Sequence, residues 1–283
     1  MHGYITRSVG LLAVPLLLVS VVAGMSPVTA AAARTGSRGP AASTFSGHLS
    51  GVAATSATDA WAVGSTGSSS SPKALIVHWN GTAWARVLSP ALVGDTELHG
   101  VAATSASSAW AVGIALPSRG PGKTLILRWN GTAWTRIPSP NPEAYGSLNG
   151  VAATSASSAW AVGVAGNGLG SMDTLIERWN GTAWTRATSP NDAGPLNGVT
   201  ATSASSAWAA GCSKCDSGLD ETQILGWNGT AWTQAAGPAP AEGHFLFGVA
   251  ATSPSNAWAV GQAASLTGPT KTLILRWNGK TWQ

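Results

Sequence analysis

Residues 98–113 read LHGVAATSASSAWAVG, and residues 125–134 read LILRWNGTAW. The first block recurs as LSGVAATSATDAWAVG from Leu49, LNGVAATSASSAWAVG from Leu148, LNGVTATSASSAWAAG from Leu196 and LFGVAATSPSNAWAVG from Leu246. The copies start 49, 50, 48 and 50 residues apart. A second block follows each one: LIVHWNGTAW, LILRWNGTAW, LIERWNGTAW, QILGWNGTAW and LILRWNGKTW. A period of this length means units that bury their faces only against neighbours, so the repeat governs every local reading.

Each repeat reads as four short strands. In the second copy, strand one is Gly-Val-Ala-Ala-Thr at 100–104, and Ser105-Ala106-Ser107-Ser108 is a turn of small polar residues. Strand two is Ala-Trp-Ala-Val-Gly at 109–113, with β-branched and aromatic content. After a variable loop come strand three at 124–129 and strand four at 132–137, the latter ended by Pro138 and Pro140. Between them, Asn130-Gly131 predicts a two-residue hairpin with both residues at positive φ, which sets Leu127 opposite Trp134 and Trp129 opposite Thr132. No window has a 3.6-residue apolar period long enough for a helix. Four antiparallel strands every ~40–50 residues predict an all-β protein, a β-propeller of five four-stranded blades.

Three Trp per repeat account for all 15. Strand two carries Trp61, Trp110, Trp160, Trp208 and Trp258. Strands three and four carry the pairs Trp79/Trp84, Trp129/Trp134, Trp179/Trp184, Trp227/Trp232 and Trp277/Trp282. All are expected in the structural core, because a Trp on an alternating strand is explained by burial without a ligand. The five repeats (49–97, 98–147, 148–195, 196–245 and 246–283) predict a closed ring, with residues 43–47 as a candidate closing strand.

The 283-residue chain is only 9% charged, with 15 basic and 11 acidic residues, against about 25% charged in an average soluble protein. That excludes a nucleic-acid surface built on dense Lys and Arg, despite a pI near 9.4. Residues 1–30 read as a secretory signal peptide: Arg7, an apolar run over 9–24, then small residues ending at Ala30 and Ala31. The run is shorter than the ~20 residues that span a bilayer comfortably. Residues 31–48 read as a flexible leader, and 49–283 as the propeller. The expected location is secreted, with association to the cell wall open.

The end of strand two in Val-Gly, followed by an aromatic on strand three, a turn and a Trp on strand four, resembles a kelch-type blade of the kind also found in galactose-oxidase propellers. The repeats are similar, too, to secreted bacterial proteins with AWAVG and WNGTAW repeats. Kelch blades usually carry a double Gly; here a single Gly64, Gly113, Gly163, Gly211 or Gly261 stands at that place.

Chemistry-bearing residues are sparse. Copper-radical chemistry needs ligand tyrosines and histidines, and after residue 30 the chain has one Tyr, Tyr145, and four His: His48, His78, His99 and His244. Ser56-Ala57-Thr58-Asp59-Ala60-Trp61 is a near miss to a sialidase Asp-box. The acidic residues are scattered, so no acid/base carboxylate pair stands out. Cys212 and Cys215, in an exported all-β chain, are expected to form a local disulfide. A metal site of Cys212, Cys215 and His244 is the alternative, although three ligands fall short of a tetrahedral set. Asn80, Asn130, Asn180 and Asn228 begin Asn-Gly-Thr sequons, which also serve as turns.

Loops 65–73, 114–123, 164–172, 212–221 and 262–270, and connectors 89–97, 139–147, 189–195 and 237–245, differ between copies. In propeller topology they share one face, and loops on a rigid scaffold are where specificity is built. The expected function is a secreted binding module for a glycan or protein partner through that face. It is expected to be monomeric and free of the membrane after signal cleavage, with no catalysis and no cofactor. The alternatives are a cell-envelope repeat domain without a small ligand, and a propeller hydrolase or lyase.

Overall fold

The computed structural model describes residues 43–142, 144–166, 172–190, 194–215, 221–237, 243–263 and 269–283. They form a β-propeller of five antiparallel blades and contain no helix. Residues 1–42, which hold the signal-peptide reading and most of the leader, lie outside the described residues.

Blade one comprises β1 (His48–Ser56), β2 (Asp59–Ser68), β3 (Ser71–Trp79) and β4 (Trp84–Val87). Blade two comprises β5 (Asp95–Ser105), β6 (Ser108–Leu116), β7 (Lys123–Trp129) and β8 (Trp134–Arg136). Blade three comprises β9 (Tyr145–Ser155), β10 (Ser158–Gly166), β11 (Met172–Trp179) and β12 (Trp184–Arg186). Blade four comprises β13 (Leu196–Ser203), β14 (Ser206–Ser213), β15 (Glu221–Trp227) and β16 (Trp232–Gln234). Blade five comprises β17 (His244–Ser253), β18 (Asn256–Ala263) and β19 (Lys271–Trp277). Its fourth element is a bridge of Trp282 to Trp277, extended by Arg276–Gln283 backbone bonds of 2.8 and 3.0 Å.

First strands of successive blades stand side by side around the centre, which explains their small residues. A Cβ on Gly100 would lie 3.1 Å from the Asn149 carbonyl oxygen and 3.2 Å from the Gly150 Cα of the next blade. The single Gly ending strand two has a different cause. Strand one bulges between Leu98 and Gly100, and a Cβ on Gly113 would overlap the Glu97 carbonyl oxygen. The same overlap recurs at Gly64, Gly163, Gly211 and Gly261.

The strand-three-to-four connection differs from the two-residue hairpin read from Asn-Gly. Trp129 pairs with Trp134 and Leu127 with Arg136, so the loop spans four residues, Asn-Gly-Thr-Ala. Asn130 Oδ1 accepts from the Thr132 and Ala133 amides at 2.9 Å each and from the Thr132 hydroxyl at 2.8 Å. This side-chain cap holds the longer loop, and within the turn positive φ is needed only at Gly131 (97°).

Four seams join consecutive blades, and each is built around three Trp. Trp110 of blade two lies 4.9 Å from Trp179 and 5.1 Å, edge-on, from Trp184 of blade three. Trp61 with Trp129 and Trp134, Trp160 with Trp227 and Trp232, and Trp208 with Trp277 and Trp282 repeat the arrangement. Leu98, Leu148, Leu196 and Leu246 are buried in the same seams.

The expected ring closure is not seen. No apolar cluster joins blade five to blade one among the described residues. Blade five leaves Trp258 42%, Val260 47% and Ile274 62% exposed, and blade one leaves Leu49 48% exposed. Trp258 is therefore not a core residue, because the blade that would cover it is missing from its side. Nor do residues 43–47 supply a closing strand: Phe45 packs on Ala62, Leu75 and Val77 of blade one.

Candidate functional site

Strand-one starts, strand-two ends and strand-three starts all lie at the face of the variable loops. Just before the seam leucine, the repeats place His48, Glu97, Ser147, Pro195 and Phe245. Just after it they place Ser50, His99, Asn149, Asn197 and Phe247. The second set includes a polar belt. His99 Nδ1 lies 2.9 Å from the Leu148 carbonyl oxygen, while Asn149 and Asn197 donate to the Leu196 and Leu246 carbonyls at 2.9 and 2.8 Å. These bonds tie together the inner strands of blades two to five and leave the first set free to vary.

At the same end of the inner strands, a cluster of ionisable groups forms where blades one, two and three meet. Glu97 Oε2 stands 3.6 Å from His99 Nε2, and this contact is an ion pair when the imidazole is protonated. The His99 side chain holds the Glu97 carboxyl below the ordinary carboxylate value, against the burial that opposes it, with smaller help from the charges of His99 and His48. His48 Nε2 is 3.2 Å from the Ser65 hydroxyl. Tyr145, on the first strand of blade three, is shifted the other way. Burial raises its phenol above the usual value, and the charge of Glu97 adds to the rise. Beside this cluster, Asp95 accepts from Lys73 at 3.1 Å and Ser71 at 3.0 Å, which lowers its pKa.

The other sequence candidates fall elsewhere. Cys212 and Cys215 are joined in a disulfide at the end of β14, so neither offers a thiolate to a metal. No group of three or more His, Cys, Asp or Glu gathers in metal-binding geometry among the described residues. Asp59, in the near miss to an Asp-box, accepts from the Thr55 hydroxyl and contacts His78 Nε2 at 2.7 Å. It anchors the imidazole that lies 4.2 Å from the Trp61 ring, a structural task. Asn80, Asn130, Asn180 and Asn228 all spend their side-chain oxygens on turn amides. Trp61, Trp110, Trp134, Trp160, Trp184, Trp208, Trp232 and Trp282 are buried. Trp179 is buried as well, whereas Trp79, Trp84, Trp129, Trp227 and Trp277 are half-buried.

Glu177 went unremarked in the sequence, although it stands where the other repeats have Val77, Leu127, Leu225 and Leu275. It is fully buried on the seam-facing side of β11, and neither carboxyl oxygen has a hydrogen-bond partner among the described residues. Burial pushes its pKa up to about 8, outweighing the attraction of Arg186. The Glu97–Tyr145 proximity was missed for a different reason. The two lie in different repeats, and only blade stacking brings them together. For Glu97 the available signal was the position before the seam leucine, which changes chemistry in every copy.

No protein-family model matches the chain, and no curated protein matches it in sequence. Solved structures do match in fold. A family GH74 xyloglucanase from Xanthomonas campestris aligns over 83% of this chain with a TM-score of 0.55 and 12% identity. A Hadza microbial sialidase aligns over 75% at 0.52 and 11%, and a protein of unknown function from Dyadobacter fermentans over 82% at 0.51 and 11%. The chain spans 38% of the xyloglucanase, 49% of the sialidase and 80% of the Dyadobacter protein. These likenesses overturn the expectation of a binding module that catalyses nothing. The same architecture serves a xyloglucanase and a sialidase, so scattered carboxylates in the sequence are no ground for excluding catalysis. At these identities the comparisons establish the architecture, and the chain is a five-bladed β-propeller.

Proposed function

We propose that the chain is a propeller hydrolase acting on glycosidic bonds, with its reacting groups at the strand-one starts of blades one to three. One observation carries the reading: Glu97 and Tyr145 sit within electrostatic reach of each other with proton affinities driven in opposite directions. They set a carboxylate that is ionised at neutral pH beside a phenol that is protonated there, a proton acceptor next to a proton donor. Glu97, ionised and about a third exposed, is the general base. Tyr145, kept protonated, is the polar partner of Glu97, and sialidases have a tyrosine where most glycoside hydrolases have a nucleophilic carboxylate. His99, fixed by the Leu148 carbonyl, orients Glu97.

The variable loops around this cluster give the substrate its selectivity. The proposal includes export through residues 1–30, which mass spectrometry of the secreted protein would detect as a new N-terminus between Ala30 and Ala33. It also includes the kinship of the repeat with kelch-type blades.

The test is turnover of nitrophenyl glycosides, xyloglucan and sialyllactose by the purified chain, beside Glu97→Gln and Tyr145→Phe. The expected result is turnover of one substrate class, reduced about 10²-fold or more in each variant with unchanged melting. Absence of turnover across the panel, or activity indifferent to both substitutions, would refute the assignment.

A further inference from the structure

The residue before the strand-three Trp is His78, Arg128, Arg178, Gly226 and Arg276 in the five repeats. In blade two, Arg128 Cζ lies 5.1 Å from the Trp110 ring and 5.4 Å from the Trp179 ring of the next blade. Its guanidinium also donates to the Ala156 carbonyl of that blade at 3.4 Å. In blade three, Arg178 lies 5.3 Å from both Trp160 and Trp227. Each of these two guanidinium groups thus lies within cation–π distance of two indoles. Blade one uses the imidazole of His78 instead.

Blade four leaves this position without a side chain, yet the two indoles keep the same geometry to each other. Trp208 and Trp277 are 4.8 Å apart at 56°, against 4.9 Å and 58° for Trp110–Trp179 and 4.8 Å and 58° for Trp160–Trp227. A surface cleft of about 440 Å³ opens there, lined by Gly226, Trp208, Trp277 and Pro254 among others. The Pro254 carbonyl is the counterpart of Ala156. It accepts the Trp277 indole N–H at 3.2 Å and keeps a second lone pair. Two ring faces and a carbonyl therefore persist without the cation that accompanies them in the neighbouring seams.

We infer that the cleft between blades four and five is a receptor slot for an arginine side chain supplied by a partner protein. Its guanidinium takes the place that Arg128 and Arg178 fill from within the chain. The occupant is read from the molecule's own filled slots, which hold a planar cation rather than an ammonium or a sugar. The slot lies at the uniform turns (Ser205, Asn228 and Pro254 line it), away from the variable loops, so it does not depend on the hydrolase reading.

The test is an NMR titration of the indole N–H signals with N-acetyl-arginine methylamide, with N-acetyl-lysine methylamide and cellobiose in parallel. The wild-type chain should show one saturable site that moves Trp208 and Trp277, with the lysine compound and cellobiose at least about tenfold weaker. Gly226→Arg restores the sequence of the neighbouring blades and should abolish the site. A Cβ there meets the Trp208 ring at 2.9 Å, so that ring must move slightly to admit it. Arg178→Gly should create a second site that moves Trp160 and Trp227, and this variant keeps Gly226, Trp208 and Trp277 of the blade-four slot. If Gly226→Arg does not fold, the site number in Arg178→Gly decides. No saturable shift in the wild type, equal binding of cellobiose, or site numbers unchanged in the folded variants would overturn the inference.

Discussion

The four internal seams and the two end faces are assembled from the same residues with opposite results. Twelve of the fifteen Trp form four seam clusters of three. The remaining three are Trp258 on blade five and the pair Trp79/Trp84, 5.9 Å apart, on blade one. They are the parts of a fifth seam, divided between the two ends. The leading side of a seam supplies Trp, Val and Ile from strands two and three, as Trp110, Val112 and Ile126 do. Trp258, Val260 and Ile274 are that set, uncovered. The lesson is that burial here belongs to the pair of blades and not to the residue, so identical sequence predicts identical strands but not identical environments.

Glu177 offers the largest expected effect, because it is a charged group set into one internal seam. An unfolded Glu titrates near 4.5 and the folded one at about 8, so only the folded state keeps its proton between those values. Stability is therefore fully present below about pH 4.5 and declines as the pH rises towards 8, by up to about 5 kcal/mol. Glu177→Leu, which restores the residue of blades two, four and five, should flatten that pH dependence and raise the stability at pH 8. Urea melts at pH 5 and pH 8 measure it, and equal pH slopes in both proteins would show that the carboxyl is solvated.

Next in size is Trp110→Ala, which deletes a buried seam Trp and should cost about 3–5 kcal/mol in the same melts. Trp258→Ala removes the equivalent side chain from the open end, where Arg276 lies 5.3 Å from its ring. The expected loss is about 1 kcal/mol or less. Equal losses at the two positions would mean that blade five is covered in solution, and the contrast between seams and ends would collapse. The smallest expected effect is that of Ile274→Ser at the open face, within about 0.5 kcal/mol of the parent. A loss of several kcal/mol there would lead to the same conclusion by another route.

Strand order, blade number and the seam residues were legible in the sequence, because period-two alternation and a fifty-residue repeat are local signals. The register of the outer hairpin was not. Asn-Gly signals a two-residue turn, yet the Asn130 side chain caps a four-residue one, and the choice lies in hydrogen bonds that composition does not display. Exposure of Trp258 could not be read from AWAVG, since its covering surface belongs to another blade. The Glu97–Tyr145 pairing was hidden for the same reason. The buried carboxyl was visible as LIERW among LILRW copies, and the repeat comparison that found the fold would have found it too.

Near-identical blades also leave the folding chain without an address for each strand. Nothing in LILRW tells β7 of blade two that its partner is β6 rather than β10 of blade three. The difference is distance along the chain. Closing a loop of roughly thirty-six residues instead of roughly fourteen costs only about 0.8 kcal/mol more. Repeat proteins with so small a margin are prone to pairing across units. Synthesis from the N-terminus supplies the missing information, because each strand two emerges while its own strand one is the only unpaired copy within reach. Time of arrival thereby performs the sorting that sequence does not, and refolding the full-length chain from denaturant discards it.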